Sequence, residues 1–158
     1  MNPMSKIVRT ITKFTYGIII IFGLYIIVHG HLTPGGGFQG GAVTASAFAL
    51  LLISYGNLTT DKFLKKDLFS FLESCGLTLF ITLAFLGLGL TFFYNFLANS
   101  GGWFGNISAV GINPGDLNTG GVVPLMNIAV GLEVLSGLGL IVLVMAAAME
   151  FTKKKENL

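Results

Sequence analysis

One glycine-rich segment connects the first apolar run of the chain to the second: Gly30-His31-Leu32-Thr33-Pro34-Gly35-Gly36-Gly37-Phe38-Gln39-Gly40-Gly41. Thr33 and Pro34 predict the start of a helix, because a threonine hydroxyl can cap the first turn and proline fits the first helical position. Five glycines then fall within the first two predicted turns. Each costs about 0.8–1 kcal/mol of helix propensity relative to alanine. We therefore expect close packing of this helix to offset the loss.

The spacing of the small residues predicts which faces pack. They form two GxxxG pairs, and the second pair continues at every fourth residue through Ala45 to Ala49. In a membrane, small residues let another backbone approach closely, and this packing replaces the hydrophobic drive that lipid cannot supply. The residues that we assign to helix packing lie around the helix start: Pro34, Gly36, Gly37, Phe38, Gly40 and Gly41.

On this interpretation, leucine at Gly41 should be damaging and alanine mild. The alternative is a flexible turn before an ordinary helix. A phosphate-binding loop is disfavoured, because no Lys-Ser/Thr pair follows the glycines and no soluble strand precedes them.

The composition of the chain is that of an integral membrane protein. Of its 158 residues, 53% are hydrophobic and only 10% are charged, with a mean hydropathy of +0.82. A soluble domain carries about 25% charged residues. A single cysteine, Cys75, excludes a disulfide framework and is expected to be a buried thiol. The net charge of +2 does not indicate a nucleic-acid partner.

Four apolar segments are long enough to cross a bilayer, at residues 10–29, 34–56, 68–97 and 122–151. The prediction is an all-α protein with four transmembrane helices in one membrane domain, 1–158. For the first segment, a cleaved signal peptide is the alternative. The third segment is longer than a bilayer requires, so we expect it to tilt or to project beyond the lipid.

The positions of the basic residues predict the orientation in the membrane. Lysine and arginine occur before the first span, between the second and third, and after the fourth, with none between Lys13 and Lys62 or between Lys66 and Lys153. The positive-inside rule therefore predicts that both termini are cytoplasmic. The glycine-rich segment and the loop that contains Trp103 then lie on the outer side.

Glu133 is the most informative polar residue within a predicted span. No cation lies within ten residues of it, and a charged residue at a helix centre costs about 2.5–3.5 kcal/mol on insertion scales. Glu133 must therefore be protonated, paired with a cation from elsewhere, or in contact with water or an ion. Two interpretations stay open: a carboxylate in an ion or proton path, and a structural carboxylate that is hydrogen-bonded to a neighbouring helix.

Three further polar residues lie near the predicted span ends. We expect Glu73 to form an interfacial ion pair with Lys65 or Lys66. His29 and His31 flank the outer end of the first span, and no Cys, Asp or Glu stands near them in the sequence. This pattern favours hydrogen bonding or proton relay over a metal site.

Two blocks of residues resemble the MrpB/MnhB-type subunit of the Mrp-type multisubunit cation/proton antiporters: His31-Leu32-Thr33-Pro34-Gly35-Gly36-Gly37-Phe38-Gln39-Gly40-Gly41 and Gly121-Val122-Val123-Pro124-Leu125-Met126-Asn127-Ile128-Ala129-Val130-Gly131-Leu132-Glu133-Val134. The resemblance implies a small subunit that helps to form the sodium path or holds the antiporter module together in the plasma membrane. It implies other Mrp-type membrane subunits as partners, Na⁺ and H⁺ as transported ions, and Glu133, Asn127 and His31 as candidates for the ion path.

Two alternative functions stay open. The same subunit type occurs in archaeal respiratory membrane complexes, such as energy-converting hydrogenases and sulfane sulfur reductases, where the role would be purely structural. An oxidoreductase subunit that lines a quinone site would need ionisable and aromatic groups at one interface, which the sequence does not provide. Since no nucleophile, base and oxyanion hole and no redox-cofactor ligands are apparent, we expect neither an enzyme nor a bound cofactor or metal.

Overall fold

The computed structural model describes residues 3–56, 65–107 and 116–156, with side chains described up to residue 149. Within these ranges the chain contains no strand and forms four α-helices, which are α1 (Lys6–His29), α2 (Gly37–Tyr55), α3 (Lys66–Leu86) and α4 (Val123–Glu156). A 3₁₀ turn, Leu117–Thr119, precedes α4. All four helices are long and apolar enough to span a membrane. The prediction of an all-α protein with four candidate transmembrane helices is confirmed.

The helices pack side by side in the order α1, α2, α4, α3, so that α1 and α3 occupy the two edges. Gly23 of α1 lies against Gly40 and Thr44 of α2. Apolar side chains from α2, α3 and α4 form a core near the end of α2 and the start of α3. Its buried members are Leu52, Phe69, Leu143 and Ala146. Because α4 packs on both α2 and α3, it is the central element of the fold.

The second helix begins three residues later than the sequence predicts. The Thr33 hydroxyl donates to the His29 carbonyl at 3.3 Å, so it closes the last turn of α1 and does not cap α2. Gly35 has a φ of +139°, a conformation that glycine adopts readily, and the extended Gly36 is the N-cap. Pro34 therefore lies outside α2, because the chain needs these two glycines to reverse direction.

Only three of the assigned packing residues contact a neighbouring helix from within α2. A β-carbon at Gly37 would lie 2.3 Å from the Asn127 carbonyl oxygen, and one at Gly41 would lie 2.8 Å from that of Gly131. Gly40 instead faces α1, where a β-carbon would lie 2.6 Å from the Gly23 carbonyl oxygen. The glycines of α2 thus allow close approach of two different helices on two faces.

The other assigned packing residues lie elsewhere. Pro34 is exposed, and Phe38 is 60% exposed on the outer surface of the chain. Gly36 lies before the helix, where Gly30 approaches so closely that a β-carbon on Gly30 would be 2.6 Å from the Gly36 α-carbon. The close approach at Gly36 therefore belongs to the turn between α1 and α2 and not to a helix face.

The third apolar segment is not one long helix. Helix α3 ends at Leu86, and residues 87–97 turn back over its end. The Phe93 amide donates to the Ala84 carbonyl at 3.2 Å, and the Phe80 and Phe93 rings have centroids 5.7 Å apart. A β-carbon at Gly87 would lie 2.6 Å from the Tyr94 amide nitrogen. The apolar residues after Leu86 therefore cover the end of α3, and the expected extension or tilt of a longer helix is wrong.

The segment after α3 also holds the start of α4. The Asn95 side chain accepts a hydrogen bond from the Val122 amide at 2.7 Å and donates one to the Gly120 carbonyl at 3.2 Å. Gly121, between them, has a φ of +61° and leaves no room for a β-carbon beside Asn95. Asn95 therefore links the two ends of the loop between α3 and α4 and satisfies backbone groups that precede α4.

Candidate functional site

Glu133 lies well within α4, about 15 Å along the axis from the first residue of the helix. Its backbone faces α3 at Gly76, where a β-carbon would lie 2.8 Å from the Glu133 amide nitrogen. Its side chain is half-buried. The absence of a side chain at Gly76 lets the two helices approach closely at the level of this carboxyl group.

Glu73 of α3 lies in the same interface. A β-carbon at Gly137 of α4 would lie 3.2 Å from the Glu73 Oε1 atom, so the carboxyl group occupies the space above that glycine. Glu73 is half-buried, whereas Lys65 and Lys66 are exposed, and no ion pair joins them. The expected interfacial ion pair is wrong, because Glu73 faces α4, two turns beyond the start of α3.

The structure therefore brings Glu73 and Glu133 into one helix interface within the apolar part of the fold. The Glu73 carboxyl group lies against Gly137 of α4 and the Glu133 backbone lies against Gly76 of α3, so the levels of the two residues differ by about one helical turn, or ~5 Å. Among the residues that the structure describes, neither carboxyl group makes a hydrogen bond or an ion pair. Carboxyl groups in such surroundings can exchange a proton or coordinate a cation.

Sequence reasoning identified Glu133 and assigned Glu73 to the membrane surface. A signal for the pair was present. Gly76 comes three residues after Glu73, and Gly137 comes four residues after Glu133. Residues at these spacings lie on the same face of a helix. In an antiparallel pair of helices, such a pattern places each carboxyl group against the glycine of its neighbour.

Asn127 lies near the start of α4, against the turn before α2. A β-carbon on Gly30 would lie 3.0 Å from the Asn127 Nδ2 atom, and one on Gly36 would lie 3.8 Å from its Oδ1 atom. The Nδ2 atom is buried and has no hydrogen-bond partner in the described part of the chain. A buried amide without a partner costs free energy, so this donor is available to a group outside the described part of the chain.

His31 lies beside the loop that leads into α4. A β-carbon on Gly120 would lie 2.7 Å from the His31 Cδ2 atom. Both ring nitrogens are buried, with no partner of hydrogen-bond geometry among the described residues. Burial lowers the pKa of His31, the nearby His29 adds to this effect, and the Leu117 backbone opposes it. The imidazole is therefore neutral at neutral pH.

The three predicted ion-path residues do not form one cluster. Asn127 faces the turn before α2, His31 faces the 3₁₀ turn, and Glu133 faces α3. His29 stacks on Tyr25, with ring centroids 4.5 Å apart. In the described residues no group of three or more His, Cys, Asp or Glu side chains is placed to hold a metal ion. The geometry thus places two glutamates at the interface of α3 and α4 and leaves a separate polar region at the glycine-rich end.

Four apolar helices, with two glutamates at a glycine-lined helix interface, define a multi-pass membrane protein. Residues 7–151 match the family described as a domain related to the MnhB subunit of Na⁺/H⁺ antiporter. The chain belongs to this family.

Individual relatives show the same similarity. The chain is 37% identical to an uncharacterized protein of Methanocaldococcus jannaschii over 125 residues, which are 77% of this chain and 44% of that protein. It is 37% identical over 99 residues to the B-type subunit of the Na⁺/H⁺ antiporter of Bacillus subtilis, covering 62% of this chain and 66% of that protein. The chain thus spans less than two thirds of the length of either relative.

A solved structure has a similar fold. A chain in the membrane-bound sulfane sulfur reductase, an archaeal respiratory membrane complex, superimposes with a TM-score of 0.73 and 31% sequence identity. The match covers 90% of this chain and 58% of that one. The similarity therefore includes nearly all of the four-helix arrangement described above.

Proposed function

We propose that this chain is a membrane subunit of an Mrp-type sodium/proton antiporter module and that Glu133 and Glu73 lie on its ion path. The observation that carries the proposal is the pair of half-buried glutamates at the interface of α3 and α4, in a chain of the MnhB-related family. Carboxyl groups between transmembrane helices are typical of cation and proton pathways. The transported ions are Na⁺ and H⁺.

The partners in this proposal are other membrane subunits of a hetero-oligomeric complex in the cell membrane. The described residues contain four candidate spans with few polar groups inside them, which is too little to enclose a complete pathway. The absence of a cation beside the carboxyl pair in the described residues supports a contribution from another subunit or from the transported ion. The chain acts in transport and not as an enzyme.

A purely structural role in an energy-converting respiratory complex is the second candidate. It is favoured by the close backbone contacts at Gly37, Gly41 and Gly76, which make α4 the centre of a tightly packed layer. It is also favoured by the similarity to a chain of an archaeal respiratory complex.

The test is sodium-coupled proton transport in inverted membrane vesicles that contain the complete complex. Glu133→Gln and Glu73→Gln should abolish transport while the chain still co-purifies with its partners, because glutamine keeps the size of the side chain but cannot ionise. Asp67→Asn is the matched control, since Asp67 is exposed in the first turn of α3. Normal transport with weakened co-purification in both glutamine variants would contradict the ion-path role and support the structural one.

A further inference from the structure

The first two turns of α1 carry three basic residues along one side of the helix: Lys6, Arg9 and Lys13. Together with Thr10 and with Tyr55 of α2, they line a groove of about 350 Å³. This volume lies within the usual range of small-molecule sites. In the described part of the chain no carboxylate pairs with any of the three cations. Three like charges therefore share one groove without an anion.

Hydrogen bonds anchor the backbone of α1 near Arg9 to the end of α2. The Tyr55 hydroxyl donates to the Arg9 carbonyl at 3.3 Å, and the Met4 amide donates to the Ser54 carbonyl at 3.0 Å. These bonds attach the start of α1 to the end of α2. The Arg9 Nε atom is buried and has no hydrogen-bond partner among the described residues. A guanidinium group carried on this anchored backbone, with an Nε atom that lacks a partner in the described residues, is suited to bind a phosphate.

An apolar surface adjoins the cationic groove. A second groove, of about 280 Å³, shares Lys6 and Thr10 with the first and is completed by Ile7 and Ile11. The same helix continues with exposed Phe14 and Ile18, toward the middle of the span. The start of α1 thus presents a site for a negatively charged group next to a strip that fits a hydrocarbon chain.

We propose that this surface binds one anionic phospholipid, with its phosphate between Arg9 and Lys13 and an acyl chain along Ile11 and Phe14. The charge of the groove selects an anionic headgroup over a zwitterionic one, because basic pockets beside membrane-spanning helices attract acidic lipids. The adjoining apolar strip favours a lipid over a soluble phosphate, which would leave that strip uncovered. This proposal does not depend on the transport function.

The test uses the full-length chain, purified in detergent with its co-purifying partners, stripped of lipid and titrated with dioleoyl phosphatidylglycerol or dioleoyl phosphatidylcholine. Native mass spectrometry counts the lipids retained. The expected result is one retained phosphatidylglycerol per chain and weak retention of phosphatidylcholine. The double variant R9Q/K13Q should lower the affinity for phosphatidylglycerol roughly 30-fold, as the loss of two basic residues near the membrane implies.

Two controls separate a lipid site from general charge effects. The charge-matched variant K65Q/K66Q removes two exposed lysines at the start of α3 and should bind lipid like the original chain. The variant R9Q/N2K keeps the number of basic residues at the N-terminal end of the chain, so that membrane insertion is preserved, and should still lose most of the preference for phosphatidylglycerol over phosphatidylcholine.

Three results would overturn the proposal. The first is normal phosphatidylglycerol retention by R9Q/K13Q and R9Q/N2K. The second is an equal loss of retention in K65Q/K66Q. The third is complete displacement of the lipid by inorganic phosphate at the same concentration, which would identify a site for a soluble anion.

Discussion

Gly76 of α3 lies directly against the backbone of Glu133, since a β-carbon on Gly76 would be 2.8 Å from the Glu133 amide nitrogen. Real β-carbons do not approach backbone atoms this closely, so any side chain at Gly76 must separate α3 from α4. The position of both carboxyl groups in this interface therefore depends on one glycine.

The first prediction concerns that glycine. Gly76→Ala should lower the stability of the chain by about 1–3 kcal/mol of overpacking, reduced by the ~1 kcal/mol of helix propensity that alanine gains. Gly17→Ala is the control, because no atom of another described helix lies within 4 Å of a β-carbon there. Thermal unfolding in detergent should show a lower midpoint for Gly76→Ala only. Equal midpoints for the two variants would show that α3 and α4 are not in contact at Gly76.

The second prediction revises the expectation that alanine at Gly41 is mild. A β-carbon at Gly41 would lie 2.8 Å from the Gly131 carbonyl oxygen and 2.9 Å from the Val134 β-carbon. We now expect Gly41→Ala to destabilise the contact of α2 with α4, and Gly41→Leu to destabilise it more. The expected cause is overpacking against α4. A special backbone conformation is not involved, because Gly41 lies within a regular helix. An increase in the unfolding midpoint of Gly41→Ala, measured in the same detergent, would contradict this contact.

The third prediction concerns the link between the outer loop and α4. Asn95→Ala should cost about 1–3 kcal/mol, because the amide of the buried Val122 then loses its acceptor. Asn95→Asp should cost less, since it keeps that acceptor and loses only the bond to the Gly120 carbonyl.

Asn106→Ala is the matched control for both Asn95 variants, since Asn106 is exposed and its side chain makes no hydrogen bond within the described residues. Unfolding midpoints measured for all three variants should fall in the order Asn106→Ala, Asn95→Asp, Asn95→Ala. A normal midpoint for Asn95→Ala would mean that Asn95 does not hold α4.

The fourth prediction is a pH dependence at the glycine-rich end. Burial lowers the pKa of His31 below the ordinary histidine value of 6.5. The unfolded chain therefore binds more protons than the folded one as the pH falls below about 6.5. The stability that His31 contributes is complete above this pH and is lost as the pH falls through the lowered pKa.

The measurement is the unfolding midpoint between pH 7.5 and 5. Its decline on acidification should be smaller in His31→Gln, because glutamine does not titrate in this range. His29→Gln is the comparison: it makes the same substitution at the neighbouring histidine, removes only the smaller contribution of His29 to the lowered pKa of His31, and should reduce the decline less than His31→Gln does. An unchanged decline in His31→Gln would contradict the role of His31.

The fifth prediction is the orientation in the membrane. We expect both termini and the start of α3 to be cytoplasmic and Trp103, which is 89% exposed, to lie on the other side. Single cysteines at Asp67 and Trp103, introduced into a Cys75→Ala chain, should react with an impermeant maleimide from opposite sides. Reaction of both from one side would refute the orientation and the number of spans together.

The number of helices could be predicted from the sequence because the requirement is local. A segment that crosses a bilayer must satisfy its own backbone hydrogen bonds and must be apolar over a fixed length. Neither condition depends on the rest of the fold. The loss of helix propensity in the glycine-rich segment likewise indicated that another backbone approaches it, as Gly37, Gly40 and Gly41 now illustrate.

Two helix ends were not predictable from hydropathy. The residues after Leu86 are as apolar as a helix that spans lipid, yet they cover the end of α3 through the contacts of Phe93 and Tyr94. The start of α2 was placed at Pro34, but the Thr33 hydroxyl bonds back to α1. In both cases the same local composition fits two structures, and contacts between distant residues select one of them.

The order of the helices and the pairing of the carboxyl groups were decided by the tertiary structure alone. Hydropathy predicted that Glu133 needs a partner or an ion. It also predicted, for Glu73, a position at the membrane surface. The two residues share an interface because Gly76 of α3 fits against the backbone of α4 and Gly137 of α4 leaves room for the Glu73 side chain. Such shape complementarity belongs to the pair of helices, and the sequence of either helix by itself does not contain it.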